Sequence, residues 1–249
     1  MPTIDASLVR QIAPTGALRA AINFGNPVLA SRDPDSGQAR GVSLDLAQSL
    51  AQRLGLALQT VLFESAGESV AAIARAQADI GFFALDPQRA AQLRFAAPYV
   101  LIEGAYLVLE DSPLTHRDEV DREGIRVVVG QGSAYDLFLT RELQHASLVR
   151  AATSPTVVDE FLRQGAEVAA GVRQQLLADQ QRLSTARLRL LPGNFMVIQQ
   201  AMAVPVDRSD GALAVVRDFV EDMKASGFVA QALERHGITG ARVAPPLNS

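Results

Sequence analysis

The stretch Asp79–Tyr99, DIGFFALDPQRAAQLRFAAPY, decides the fold. Asp79–Ala84 reads as a short buried strand, an apolar run too brief for a helix. Asp86-Pro87 then starts a helix, with Asp as N-cap and Pro in the first helical position. Ala96–Val100 is extended again. A strand that passes through a helix into extended chain belongs to a βαβ arrangement. Arg89 falls in the first turn of that helix, directly after the buried strand. In a parallel sheet, side chains at that place reach the crevice where ligands bind. An arginine there can hold a carboxylate through two parallel hydrogen bonds. The competing reading is a solvated helix-start arginine paired with Asp86.

The same alternation extends in both directions. Leu18–Phe24 reads as a strand, Ser31–Gly41 as a polar turn, and Ser43–Leu54 as a helix closing on Gly55, with Leu44, Ala47, Ala51 and Leu54 at helical spacing. Leu56–Phe63 is a strand and Glu64–Ala76 a helix. Ala105–Leu109 is extended, and Ile125–Val129 is a β-branched strand. The turn GQGS leads from it into a helix over Ala134–Leu143. Leu148–Arg150 is extended, and Ser154-Pro155 repeats the proline start for a helix through Gln164. A strand at Glu167–Gly171, a helix at Arg173–Gln181, a strand at Leu188–Leu191 and extended chain at Phe195–Val204 follow. The helices Ser209–Ser226 and Phe228–His236 come last, before a tail, APPLNS, that reads as frayed. This order predicts an α/β protein with mainly parallel sheets.

Composition narrows the chemistry. A chain of 249 residues makes one large domain or two small ones. The absence of cysteine excludes disulfides, thiolate metal sites and Cys nucleophiles. Lys224 is the one lysine, so lysine-base chemistry is nearly excluded and an anion site must use arginine or backbone N–H groups. His116, His145 and His236 lack metal-ligand spacing, and neither a metal nor a cofactor is expected. There is no G-x-S-x-G, Walker A or HExxH motif. A net charge of -4 argues against nucleic acid and anionic membrane surfaces as partners. No apolar run is long enough to insert in a membrane. The opening MPTIDASLVRQIAPTG has neither the basic nor the apolar region of a secretory signal. The turn at Ser133, opening a helix at Ala134, would offer free N–H groups as an anion cradle; an ordinary turn with a serine cap is the alternative.

From about Gly16 to Val243 the chain resembles the extracellular solute-binding proteins of family 3, the amino-acid-type binding proteins of bacterial ABC importers. GALRAAINFGNPVL resembles the opening strand and pocket loop of that family, and GVSLDLAQSLAQRLG its G-F-D-x-D-L-A helix, with Asp45 at the second acid. Ala78-Asp79 matches a strand start, Asp86–Arg89 matches T-P-E-R, Phe95–Tyr99 matches F-x-x-P-Y, and Val127–Ser133 matches V-G-V-x-x-G-T. The resemblance implies a two-lobed periplasmic-binding-protein fold (type II), each lobe a mainly parallel sheet flanked by helices. Residues 1–103 with 200–249 would form lobe 1 and 104–199 lobe 2, with crossovers near Glu103–Ala105 and Ile198–Gln200. In the family such lobes close on a small ligand by a hinge. The resemblance also implies that Arg89 holds a ligand carboxylate and that Ser133 donates to the same group. Asn23, Asn26, Ala84, Ala134 and Gln200 complete the expected ligand contacts. The expected partners are a small carboxylated solute and an ABC permease. The protein is expected to be a monomer, periplasmic by resemblance, or cytoplasmic if Met1 is the native start.

Two departures bear on the ligand. Counted from Gly165, the family's two acids become Val168 and Arg173, so the position that binds an α-ammonium carries a positive charge. The family's pocket serine is Ala84, and its stacking position falls near Ala66. Arg173 in the cleft would favour an organic anion without an α-ammonium; a solvent-facing Arg173 would leave the ordinary amino-acid reading. Two further function classes stay open. One is an enzyme on the same scaffold, resembling cyclohexadienyl dehydratase, for which Glu64, Glu68 and Glu103 are the candidate general acids. The other is a ligand-sensing domain.

Overall fold

Asp5 caps the first helix, α1 (Ala6–Ile12), by accepting the Ser7 N–H at 2.6 Å. This helix was not anticipated, because its apolar positions are too few to stand out from the surrounding chain. A computed structural model describes residues 4–247. Strand β1 (Ala17–Asn23) follows, then a small hairpin of β2 (Ser31–Arg32) and β3 (Ala39–Arg40) inside the expected polar turn. Helix α2 (Val42–Leu54) ends at Gly55, and β4 (Ala57–Phe63), α3 (Ala66–Ala74) and β5 (Ile80–Ala84) come next. The Asp86-Pro87 start gives a single turn, α4 (Pro87–Ala90). The chain then runs without interruption through β6 (Leu93–Leu109), where two separate extended segments were expected.

The second series contains β7 (Arg126–Gly130), α5 (Ala134–Glu142), β8 (Ser147–Ala151), α6 (Val157–Gln164), β9 (Val168–Val172), α7 (Arg173–Arg182) and β10 (Leu188–Leu190). Strand β11 (Met196–Pro205) leads back to α8 (Asp210–Ala225), α9 (Phe228–Arg235) and β12 (Arg242–Val243). The chain divides into two units. Unit 2 is Ile102–Ile198, and unit 1 is the chain before and after it. These boundaries fall inside β6 and β11, two residues and one residue earlier than the sequence suggested.

In unit 1, β1 lies parallel to β4 from Ala17 opposite Ala57 to Asn23 opposite Phe63, and parallel to β5 on its other side. Strand β11 pairs antiparallel with β5, placing Gln200 opposite Ala84. Asp45 on α2 holds both Arg235 (2.8 Å) and His236 (2.9 Å), tying α9 to α2. At the amino end of β5, the fully buried Asp79 accepts Arg19 Nη2 at 2.6 Å, Arg19 Nε at 3.1 Å and the Arg19 N–H at 2.9 Å.

In unit 2, β7 runs parallel to β8 and to β9, and β6 pairs antiparallel with β9, with Gly104 opposite Val172. Alternation along β6 sends successive side chains to opposite faces. Ala105 and Leu107 pack with Val158 and Phe161 on one face; Tyr106 and Val108 pack with Leu139 on the other. Burying each large apolar side chain is worth about 1.5–3 kcal/mol. The parallel strands of each unit end at one edge, and the predicted binding residues sit at those edges.

Candidate functional site

In unit 1 the site residues gather at the carboxyl ends of β1 and β5. Asp86 Oδ1 accepts the Gln88 N–H at 2.8 Å, which fixes the single turn of α4. Arg89 is thereby carried back over β5, and its Nη1 donates to the Ala84 carbonyl at 3.3 Å. The residue is only 5% exposed, which excludes the solvated helix-start reading. Burial pulls the Arg89 guanidinium down to about 10, while nearby Asp86 acts in the opposite sense. It stays charged at neutral pH, as a cation held out of water. Gln200, also buried, comes beside it through the register opposite Ala84, and the Leu85 N–H donates to the Gln199 carbonyl at 2.8 Å.

Asn23 ends β1 and turns its Oδ1 to the Gly25 N–H at 2.9 Å, shaping the loop. Asn26 Oδ1 is buried and has no hydrogen-bond partner. Two residues that sequence reasoning passed over adjoin this loop. Arg32 lies over the Phe24 ring at 4.3 Å and pairs with Glu64 at 2.6 Å. Ala66, where an aromatic was looked for, is simply the first residue of α3.

In unit 2, β7 ends at Gly130, where a Cβ would stand 2.7 Å from Ser154 Cα. Only glycine allows the loops after β7 and β8 to meet that closely. Ser133 caps α5, its Oγ accepting the Asp136 N–H at 3.0 Å, and Ala134 begins the helix. Three N–H groups of the turn are engaged within it: Gln131 N–H donates to the Ala151 carbonyl (2.9 Å), Gly132 N–H to Asp136 Oδ2 (2.8 Å) and Ser133 N–H to the Gly130 carbonyl (3.0 Å). The Asp136 carboxylate is itself bonded to Arg150 Nε at 3.0 Å.

Arg173 starts α7 at the end of β9. Its Nε meets Glu103 Oε2 at 2.9 Å and its Nη2 donates to the Gly193 carbonyl. The two side chains are 25% and 29% exposed, so Arg173 is neither solvated nor an isolated positive charge. Sequence reasoning treated Glu103 only as a candidate acid and missed this pairing. Of the other candidate acids, Glu64 is paired with Arg32, and Glu68 lies in the first turn of α3, its N–H on Ser65 Oγ at 3.3 Å. Among the described residues no group of three His, Asp or Glu side chains could hold a metal ion.

Arg89 is buried directly after β5, at the carboxyl end of a parallel strand, where α/β folds bind ligands. The sequence pattern of the bacterial extracellular solute-binding proteins, family 3, matches residues 18–239, and the chain belongs to that family. No curated protein sequence matches it. Solved structures share its fold, a periplasmic-binding-protein fold. The solute receptor for L-cysteine of Neisseria gonorrhoeae is 22% identical, with a TM-score of 0.78 over 93% of this chain and 94% of that one. A putative binding component of an ABC transporter from Wolinella succinogenes, complexed with lysine, is 20% identical, with a TM-score of 0.76 over 89% and 95%. An ancestral amino acid-binding protein, a precursor of cyclohexadienyl dehydratase, is 19% identical, with a TM-score of 0.75 over 91% and 98%.

Proposed function

We propose that this protein captures a small carboxylated solute of the amino-acid type, outside the cytoplasm, and delivers it to an ABC permease. Its ligand leaves unchanged; catalysis is not part of this reading. The observation that carries it is Arg89: a desolvated guanidinium at the carboxyl end of β5, flanked by Gln200 and the Ala84 carbonyl. A carboxylate there would accept charge-assisted hydrogen bonds from the guanidinium. By the resemblance, the Ser133 hydroxyl is a further ligand donor. The argument against an α-ammonium assumed an uncompensated Arg173; Glu103 supplies the compensating charge. An amino acid is therefore favoured over a dicarboxylate. The structural relatives described above, a receptor for L-cysteine and a binding component complexed with lysine, support the same solute class.

A thermal-shift screen of amino acids, keto acids and dicarboxylates tests this reading, since a ligand that binds only the native state raises its melting temperature. At least one amino acid should raise it in the wild type and fail to do so in Arg89→Ala. A response confined to compounds without a carboxylate would refute the proposal.

A further inference from the structure

Unit 2 holds a cavity of about 320 Å³ far from the Ser133 turn. Its walls come from the last two turns of α5, the turn at Arg117–Glu119, β6 and Phe195. Nine residues of α5 separate Ser133 from Glu142, about 13 Å at the helical rise. The cavity thus opens toward the end of the helix opposite to the ligand-facing turn, and neither Arg89 nor Arg173 lines it.

Its floor is aromatic. Tyr106 and Phe195 stack with ring centres 4.4 Å apart, and Phe138 lies 6.1 Å from Phe195. Tyr106 is only 5% exposed and lines the cavity together with Asp121 and Arg117. Burial and Asp121 hold the phenol above its ordinary value, so it stays protonated, with lone pairs that can accept.

The rim is acidic. Asp118, Asp121 and Glu142 stand against a single cation, Arg117. Arg117 is engaged already, with Asp118 at 3.4 Å and with the Asn194 carbonyl. Asp121 accepts the N–H groups of Gln144, His145 and Ala146, so its charge is fixed in place beside the cavity. An aromatic floor, a phenol hydroxyl among the lining groups and a net negative rim select an apolar body bearing a positive charge.

We propose that this cavity is a second ligand site, taking a small organic ammonium whose apolar part lies against Phe138 and Phe195 and whose N–H reaches the Tyr106 hydroxyl. The probe is phenethylammonium, with phenylacetate as the anionic control and 2-phenylethanol as the neutral one. Calorimetry on the whole protein should show saturable binding of phenethylammonium and none of phenylacetate. Tyr106→Phe keeps the ring stack and removes only the hydroxyl; it should weaken binding about three- to tenfold. Glu142→Gln, on an exposed helix end, should weaken it and reduce its salt dependence. Arg89→Ala should leave phenethylammonium binding unchanged, so this site stands or falls apart from the carboxylate site. Absence of saturable binding, equal binding of phenylacetate, an unaltered affinity in Tyr106→Phe, or loss of binding in Arg89→Ala would each overturn the proposal.

Discussion

Replacing Arg89 by methionine should move ligand affinity and stability in opposite directions. Methionine keeps the length of the aliphatic stem and removes the charge. Truncating one partner of a desolvated charge pair costs about 2–5 kcal/mol of binding, roughly a 30- to 5,000-fold loss of affinity. Stability should change the other way. Burial pulls the guanidinium down to about 10, so the folded state disfavours the charge that the unfolded state carries freely. At 1.36 kcal/mol per unit, folding the charged arginine costs on the order of 3 kcal/mol at neutral pH. A well-packed apolar replacement escapes that cost.

The sign can be checked by titration. Below pH 10 both states hold the proton and the cost is constant. Above about pH 10 the unfolded state binds more protons than the native one, so wild-type stability rises with pH relative to Arg89→Met. Urea unfolding of the unliganded protein supplies the stability, and calorimetry with the best ligand of the screen supplies the affinity. Lost binding with equal or greater stability marks a residue kept for its ligand. Unchanged binding, or a variant destabilised by several kcal/mol, would show instead that Arg89 is structural and would refute the reasoning.

Two further outcomes follow from other charged pairs. Asp79→Ala strands Arg19 and opens the amino end of β5; it should destabilise the protein by about 3–5 kcal/mol, measured by urea unfolding, without altering unit 2. Glu103→Gln leaves Arg173 uncompensated; calorimetry with glutamate and 2-oxoglutarate should show the preference shift toward the keto acid, and an unchanged ratio would remove Glu103 and Arg173 from the ligand's surroundings.

Legibility in the sequence followed the distance over which each feature is built. The Asp86-Pro87 start, the Ser133 cap and the strand at Ile80–Ala84 are local, and their residues announce them. The place of Arg89 after one strand and one turn left a ligand contact and a solvated cation both open; the resemblance favoured the first, and burial removes the second. Gly104 lies between two segments read as separately extended, but it continues β6. A Cβ there would stand 2.8 Å from Met196 Cγ and 2.9 Å from Phe195 Cζ, so the glycine admits a close neighbour rather than a turn. The engagement of the Gly132 N–H was hidden for a similar reason. Asp136 reads as an ordinary first-turn acid, and nothing local says that its carboxylate folds back onto the Gly132 N–H. The pair of Glu103 and Arg173 spans 70 positions, and Arg32 over Phe24 depends on how a polar loop closes. Such contacts are made by tertiary structure, and no periodicity encodes them.

Strand β5 carries a buried charge at each end, and the contrast separates a structural role from a binding one. At the amino end, Asp79 meets Arg19 through three N–H groups, and the pairing raises the Arg19 guanidinium above its ordinary value. That pair is matched within the fold: what burial takes, the partner returns. At the carboxyl end, burial outweighs the opposing pull of Asp86 and lowers Arg89. The five residues between them are wholly buried, so the strand itself favours neither charge. Arg89 stands at the end of a parallel strand, where ligands of α/β sheets gather, and an anion arriving from outside would add to the contacts it already makes. On that account ligand binding should stabilise wild-type unit 1 by more than it stabilises Arg89→Met, with the excess growing as ligand concentration rises above the dissociation constant.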